Sequence, residues 1–245
     1  MIKFKPKLTT SSAGDSGFTI VESLLGIVVV AILLAGISPI LVMSTGTRVQ
    51  SRRIEKAAQV TNTFIDGLKA GLIPIPGEAN AANRISIATA TAGQPRQLQD
   101  NLVTPANMPV PTNATNLYLV KADGSVCHPA DPAPVAPPCT SESPFEEFYI
   151  QARQIVVQGN EGTANAGYRL VMRVYRGDVD FTRPLLASNN TQNNTASGVT
   201  EGLRTRQAPL IERAADIGNI NTTFLDLCQR LGIARDANNN TQDCQ

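Results

Sequence analysis

The chain has 245 residues, of which 42% are hydrophobic and 17% charged, with a formal net charge of +1. That balance offers no broad basic surface, so no nucleic-acid partner is expected. A single histidine, four cysteines without a C-x-x-C pair, and the absence of a G-x-S-x-G elbow or a glycine-rich phosphate loop leave no basis for a metal, a cofactor or an enzyme. Glu146-Glu147 could pass for paired carboxylates, but neighbours in a strand point to opposite faces and would not share a substrate.

Lys3, Lys5 and Lys7, offset by Asp15, precede the segment Gly17-Phe18-Thr19-Ile20-Val21-Glu22-Ser23-Leu24-Leu25. From Ser23 to Thr47 no side chain carries a formal charge. Leu24–Met43 alone predicts a helix of about 20 residues, or roughly 30 Å, the thickness of a bilayer hydrocarbon core. A secretory signal peptide would have a shorter apolar region followed by a small-residue cleavage site, for which Ala35-Gly36-Ile37-Ser38 is a poor match. A plain single-span anchor would need neither the Gly–Phe junction nor Glu22, whose carboxylate is costly at the edge of lipid.

The junction, the glutamate and the apolar helix together resemble the class III signal and N-terminal helix of type IV pilins and type II secretion pseudopilins. The specific resemblance covers residues 14–70. It implies cleavage by a prepilin peptidase after Gly17 and N-methylation of the new N-terminus, Phe18. Glu22 falls at the family's conserved glutamate position and Pro39 at its frequent proline, so both are implied assembly residues. Glu22 would meet either its own N-terminal amine, four residues back, or that of a neighbouring subunit; a carboxylate snorkelling to water is the rival reading. Pro39 cannot donate to Ala35 and would kink the helix or leave it partly unwound in a filament. Charge alone leaves the topology open, because Arg48, Arg52, Arg53 and Lys56, offset by Glu55, follow the span.

Beyond the span, Ile54, Ala57, Ala58, Thr61, Phe64, Ile65 and Leu68 form one apolar stripe, extending the helix to about 50 residues until Gly67, Gly71, Pro74 and Pro76 end it. Arg48 and Arg52, four apart and mildly repelling, read as solvated charges by default, with partners on other subunits as the alternative. The Ala-, Asn-, Thr- and Pro-rich run from Gly71 to Asn116 predicts a surface excursion with one short strand at Arg84–Ala88. Strands are predicted at Leu117–Val120, Phe148–Val157 and Tyr168–Tyr175, with Gln158–Gly167 as a hairpin connection. In the last strand Tyr168, Leu170, Met172 and Val174 alternate with Arg169 and Arg173, the pattern of a sheet with one face buried. Ser188–Ser197 reads as an Asn/Thr-rich loop and Phe224–Leu231 as a short helix.

The four cysteines allow three connectivities. Local pairing of Cys127 with Cys139 is favoured by the prolines between them. Cys228 with Cys244 would pin a polar tail, resembling the disulfide-bounded C-terminal region of many pilins. His128 reads as a loop side chain.

The expected architecture is therefore α+β: a leader at 1–17, a transmembrane and assembly helix at 18–46, and a pilin-like head at 47–245 that includes helix 47–70 and an antiparallel sheet. The resemblance implies a minor pilin or pseudopilin in the inner membrane, single-pass, with its head in the periplasm or in an extracellular filament. Implied partners are the prepilin peptidase, other pilin subunits and an inner-membrane assembly platform. The closest likeness is to cyanobacterial pseudopilins of hormogonium polysaccharide secretion, B type, which support gliding motility. The alternative is an adhesin or DNA-uptake tip pilin binding a ligand through its head loops.

Overall fold

The structure is a computed structural model describing residues 19–78, 81–91, 93, 96, 105–128, 139–161, 166–188, 195 and 206–232. The leader, Gly17, Phe18, most of the Ser188–Ser197 loop and Cys244 lie outside the described residues. The chain divides into two compact units, Met1–Thr45 and Gly46–Gln245.

Helix α1, Ile20–Lys69, is 50 residues long with Pro39 inside it. It ends in a Schellman motif: Leu72 N–H donates to the Gly67 carbonyl (2.9 Å) and Gly71 N–H to that of Leu68 (3.1 Å). Gly71 takes φ +71° there, a conformation that disfavours a side chain. Gly67 makes room for the returning chain, since a Cβ on it would lie 2.7 Å from Ile73 Cδ1.

Among the described residues of the second unit, six strands form one sheet: β1 Arg84–Ile87, β2 Tyr118–Val120, β3 Val126–Cys127, β4 Phe148–Val157, β5 Tyr168–Arg176 and β6 Ile211–Ile217. The order is β3-β2-β4-β5-β6, all antiparallel. β1 pairs with the far end of β4, and it does so in parallel, Arg84 opposite Gln154 and Ile87 opposite Val157. The expected sheet is thus antiparallel except at this edge. Helix α2, Phe224–Leu231, is closed by a capping box in which Thr223 accepts from Asp226 N–H and the Asp226 carboxylate accepts from Thr223 N–H.

The stripe read from the sequence meets the sheet. Ala57, Phe64, Ile65 and Leu68 join Tyr118, Val120, Phe148, Ile150, Ala152, Leu170, Met172 and Val174 in the main core. Phe64 packs edge-on against Tyr118, ring centroids 5.0 Å apart.

The other face of the sheet corrects the expectation that only one is buried. Every residue of β5 is buried, Arg169 and Arg173 completely. Met108, Ile155 and Val171 form one small apolar cluster there, and Tyr175, Val179 and Leu185 another. The run Gly71–Asn116 is accordingly not wholly a surface excursion: its 107–110 part lies over this face, with Met108 fully buried.

Candidate functional site

The residues singled out for assembly lie on the first half of α1. Thr19 caps the helix, its Oγ1 accepting from Glu22 N–H at 3.2 Å and its carbonyl from the same N–H at 3.0 Å. Glu22 is exposed in the first turn, where the helix dipole favours a negative charge. Thr19-x-x-Glu22 is also a capping-box pattern. It supplies a reason for a carboxylate here that is independent of any partner.

Along the following turns the apolar side chains are unburied. Leu24, Leu25, Ile27, Ile32, Leu33, Leu34, Ile40 and Leu41 are each more than half exposed, and no residue in the most apolar window of α1 is buried in the protein. This segment is long and apolar enough to cross a membrane. Its hydroxyls are satisfied within the helix, as a non-aqueous environment requires: Ser23 Oγ donates to Ile20 O (3.0 Å), Ser38 Oγ to Leu34 O (2.7 Å) and Thr45 Oγ1 to Leu41 O (3.1 Å). α1 is helical through Pro39. A Cβ on Gly26 or Gly36 would meet nothing within 4 Å, so these glycines are not required by packing within this chain. Ser23, Gly26, Ile27, Val30, Ala31 and Leu34 border a shallow groove along one side.

The charged residues of the sheet form a second constellation, which sequence reasoning assigned to solvent. Arg173 donates from Nε to Glu212 Oε1 (2.9 Å) and from Nη1 to Gln151 Oε1 (3.2 Å) and to the Met108 carbonyl. Gln151 in turn donates to Pro109 O at 2.6 Å. Arg169 donates to Asp216 Oδ2 through Nε (3.3 Å) and Nη2 (3.2 Å), and Arg230 Nε reaches Asp216 Oδ1 at 2.8 Å. Arg176 forks onto Asp178 at 2.7 and 2.6 Å. The arginines thus spend their donors on neighbouring carboxylates and carbonyls, so the ladder ties the covering segments to the sheet rather than presenting an anion site. Arg153, beside it, is held below the ordinary arginine pKa by burial and then by the Arg173 charge. Burial likewise raises Tyr175, whose hydroxyl donates to Leu186 O at 3.0 Å.

Cys127 and Cys139 are bonded, with Cα atoms 5.7 Å apart. Cys228 is also disulfide-bonded; Cys244, its expected partner, lies outside the described residues. His128 stacks edge-on against Tyr118 at 4.8 Å. Among the described residues no group of three His, Cys, Asp or Glu converges as metal ligands. β3 has only two residues, paired with β2, and the Cys127–Cys139 bond adds a covalent tether at its end. Cys127→Ser should cost about 3 kcal/mol, mostly by freeing the unfolded chain, and lower the urea midpoint accordingly. Non-reducing peptide mapping of the wild type should recover Cys127 and Cys139 in one linked species.

No protein-family model, curated protein or solved structure matches this chain.

Proposed function

We propose that the protein is a minor pilin or pseudopilin, a structural subunit whose work is assembly by helix packing and not catalysis. The observation that carries this reading is the division of labour within α1. One helix is apolar on all sides and unburied in its first half, then amphipathic and packed on the sheet in its second. A lone globular protein has no use for the first half; a subunit that waits in a membrane and then joins a bundle of like helices does.

In this reading the apolar run spans the inner membrane once, the leader stays in the cytoplasm and the head is periplasmic. The oxidised cysteines favour that side, since disulfides persist in oxidising compartments. The partners are the prepilin peptidase, other pilin subunits and an inner-membrane assembly platform. The system served is polysaccharide secretion and gliding motility of the cyanobacterial hormogonium kind.

The test is the mature N-terminus. Mass spectrometry of the purified protein should find a chain that begins at Phe18, N-methylated. Gly17→Val, which puts a branched side chain at the cut, should leave the leader attached and raise the mass by that of residues 1–17. Identical masses for mutant and wild type would overturn the class III assignment.

A further inference from the structure

Just past the charge-free run, α1 carries Arg48, Arg52, Arg53 and Lys56 against one carboxylate, Glu55. Arg48 and Arg52 are exposed, four residues apart on one helical face, and form no ion pair among the described residues. They repel each other mildly, so neither stabilises the helix. Lys56 meets Glu146 only at 3.9 Å with both side chains more than half in solvent, a weak contact. Arg53 is accounted for differently: it lies 5.9 Å from the ring centroid of Phe145, contributed by the loop ahead of β4. That ring is 70% exposed. Arg176 and Asp178 also act on Arg53, so the tip of the β4–β5 pair stands at the same end of the head.

We propose that Arg48, Arg52 and Phe145 form a docking surface for anionic phospholipid headgroups at the membrane that α1 enters. This rests on the reading of α1 as a membrane span. Arg48 directly follows Thr47, the last residue of the charge-free run, so its guanidinium falls at headgroup depth with no further folding. A guanidinium binds phosphate through two parallel hydrogen bonds, and each basic residue near an anionic surface adds to the attraction. An exposed phenylalanine ring beside cations can sink its apolar body at the hydrocarbon edge while the charges stay among the headgroups, as on the two faces of interfacial helices. A protein partner would need a broader apolar centre than one ring supplies. The surface also answers an oddity of topology. Basic residues flanking a span are depleted on the non-cytoplasmic side, and four cations persist there in the proposed orientation.

The chain contains no tryptophan, so Phe145→Trp creates a single fluorescent reporter. The full-length variant is placed in nanodiscs of brominated phosphatidylcholine, alone or mixed with phosphatidylglycerol. Expected is strong quenching of the indole only when phosphatidylglycerol is present. Adding Arg48→Gln and Arg52→Gln should lower the docked-to-undocked ratio about 30-fold. Excess inorganic phosphate should leave the quenching in place, because a free anion lacks the bilayer; full displacement by phosphate would instead assign a soluble-anion site and overturn the proposal. So would quenching that ignores lipid charge, or no quenching at all. A separate Val30→Trp variant reports on the span itself: if it too is unquenched, the membrane reading fails, whereas if it alone is quenched only the docking surface does. Loss of Phe145→Trp quenching on adding a second copy of the chain would point to a subunit contact and overturn the lipid assignment.

Discussion

Arg173→Met is expected to be the most destabilising single substitution in the head. The guanidinium it removes is fully buried and serves Glu212, Gln151 and the Met108 carbonyl at once. Methionine fills much of the volume but leaves the Glu212 carboxylate, itself only 10% exposed, without its counter-charge. Breaking one side of such a pair costs about 3–5 kcal/mol, against a total stability of about 5–15 kcal/mol for a typical domain. The thermal midpoint should fall by roughly 10 °C for a head of this size. Pairing the change with Glu212→Leu should restore part of the loss, because two apolar groups replace two charges and no unpaired charge remains, although the Met108 carbonyl, Gln151 Oε1 and Ser188 N–H each still lose a partner. Thermal melts of the full chain in detergent, read by circular dichroism, check both. A double variant no better than the single one would mean that the cost lies with the Met108 and Gln151 bonds, not with the ion pair.

That ladder also shows where sequence reasoning stopped. The alternation in Tyr168–Tyr175 separates the two faces of β5 correctly: Tyr168, Leu170, Met172 and Val174 face α1, and Arg169 and Arg173 face away. What it does not tell is whether the far face is wet. An arginine on an alternating strand reads as solvent-exposed because burying a charge is expensive, and that inference fails where a carboxylate is supplied across the sheet. Here β6 supplies two, Glu212 opposite Arg173 and Asp216 opposite Arg169. β6 itself passed unread, since Ile211-Glu212-Arg213-Ala214-Ala215-Asp216-Ile217 has neither a β-branched run nor a clean apolar period. The signal that could have found it was the matched four-residue spacing of opposite charges, Arg169/Arg173 against Glu212/Asp216, which antiparallel pairing aligns. β1 was legible as a strand, but its parallel pairing was not, because nothing local in Arg84–Ile87 fixes direction. By contrast α1, β4 and α2 were readable nearly to the residue, each set by strong local rules: a long apolar run with a glycine stop, a β-branched and aromatic run, and a Thr-x-x-Asp cap.

On the pilin reading proposed above, removing the Glu22 charge should abolish assembly while leaving the protein cleaved, inserted and folded. The carboxylate is exposed at the first turn of α1 and touches none of the core, so the head has nothing to lose by its removal. Glu22→Val also takes a costly charge away from the edge of the apolar run, so insertion should be at least as efficient. In the assembly the loss is different in kind. If Glu22 faces the amine of a neighbouring Phe18, its removal strands that cation in a dry helix bundle at a cost of about 3–5 kcal/mol, a factor of a hundred or more in incorporation. The Thr19 cap offers a competing account, in which Glu22 merely steadies the helix start. Three variants separate the two. Glu22→Gln keeps the size and hydrogen-bonding reach but not the charge, and should fail to incorporate as badly as Glu22→Val. Thr19→Val removes the capping hydroxyl, costs about 1 kcal/mol of helix stability and should still incorporate. Glu22→Asp keeps the charge on a shorter arm and should recover part of the wild-type level. Quantitative immunoblotting of sheared filaments against total membrane protein measures all of them. Normal incorporation of Glu22→Gln would show that the carboxylate's charge is not what assembly requires, and the helix cap would then be the sufficient explanation.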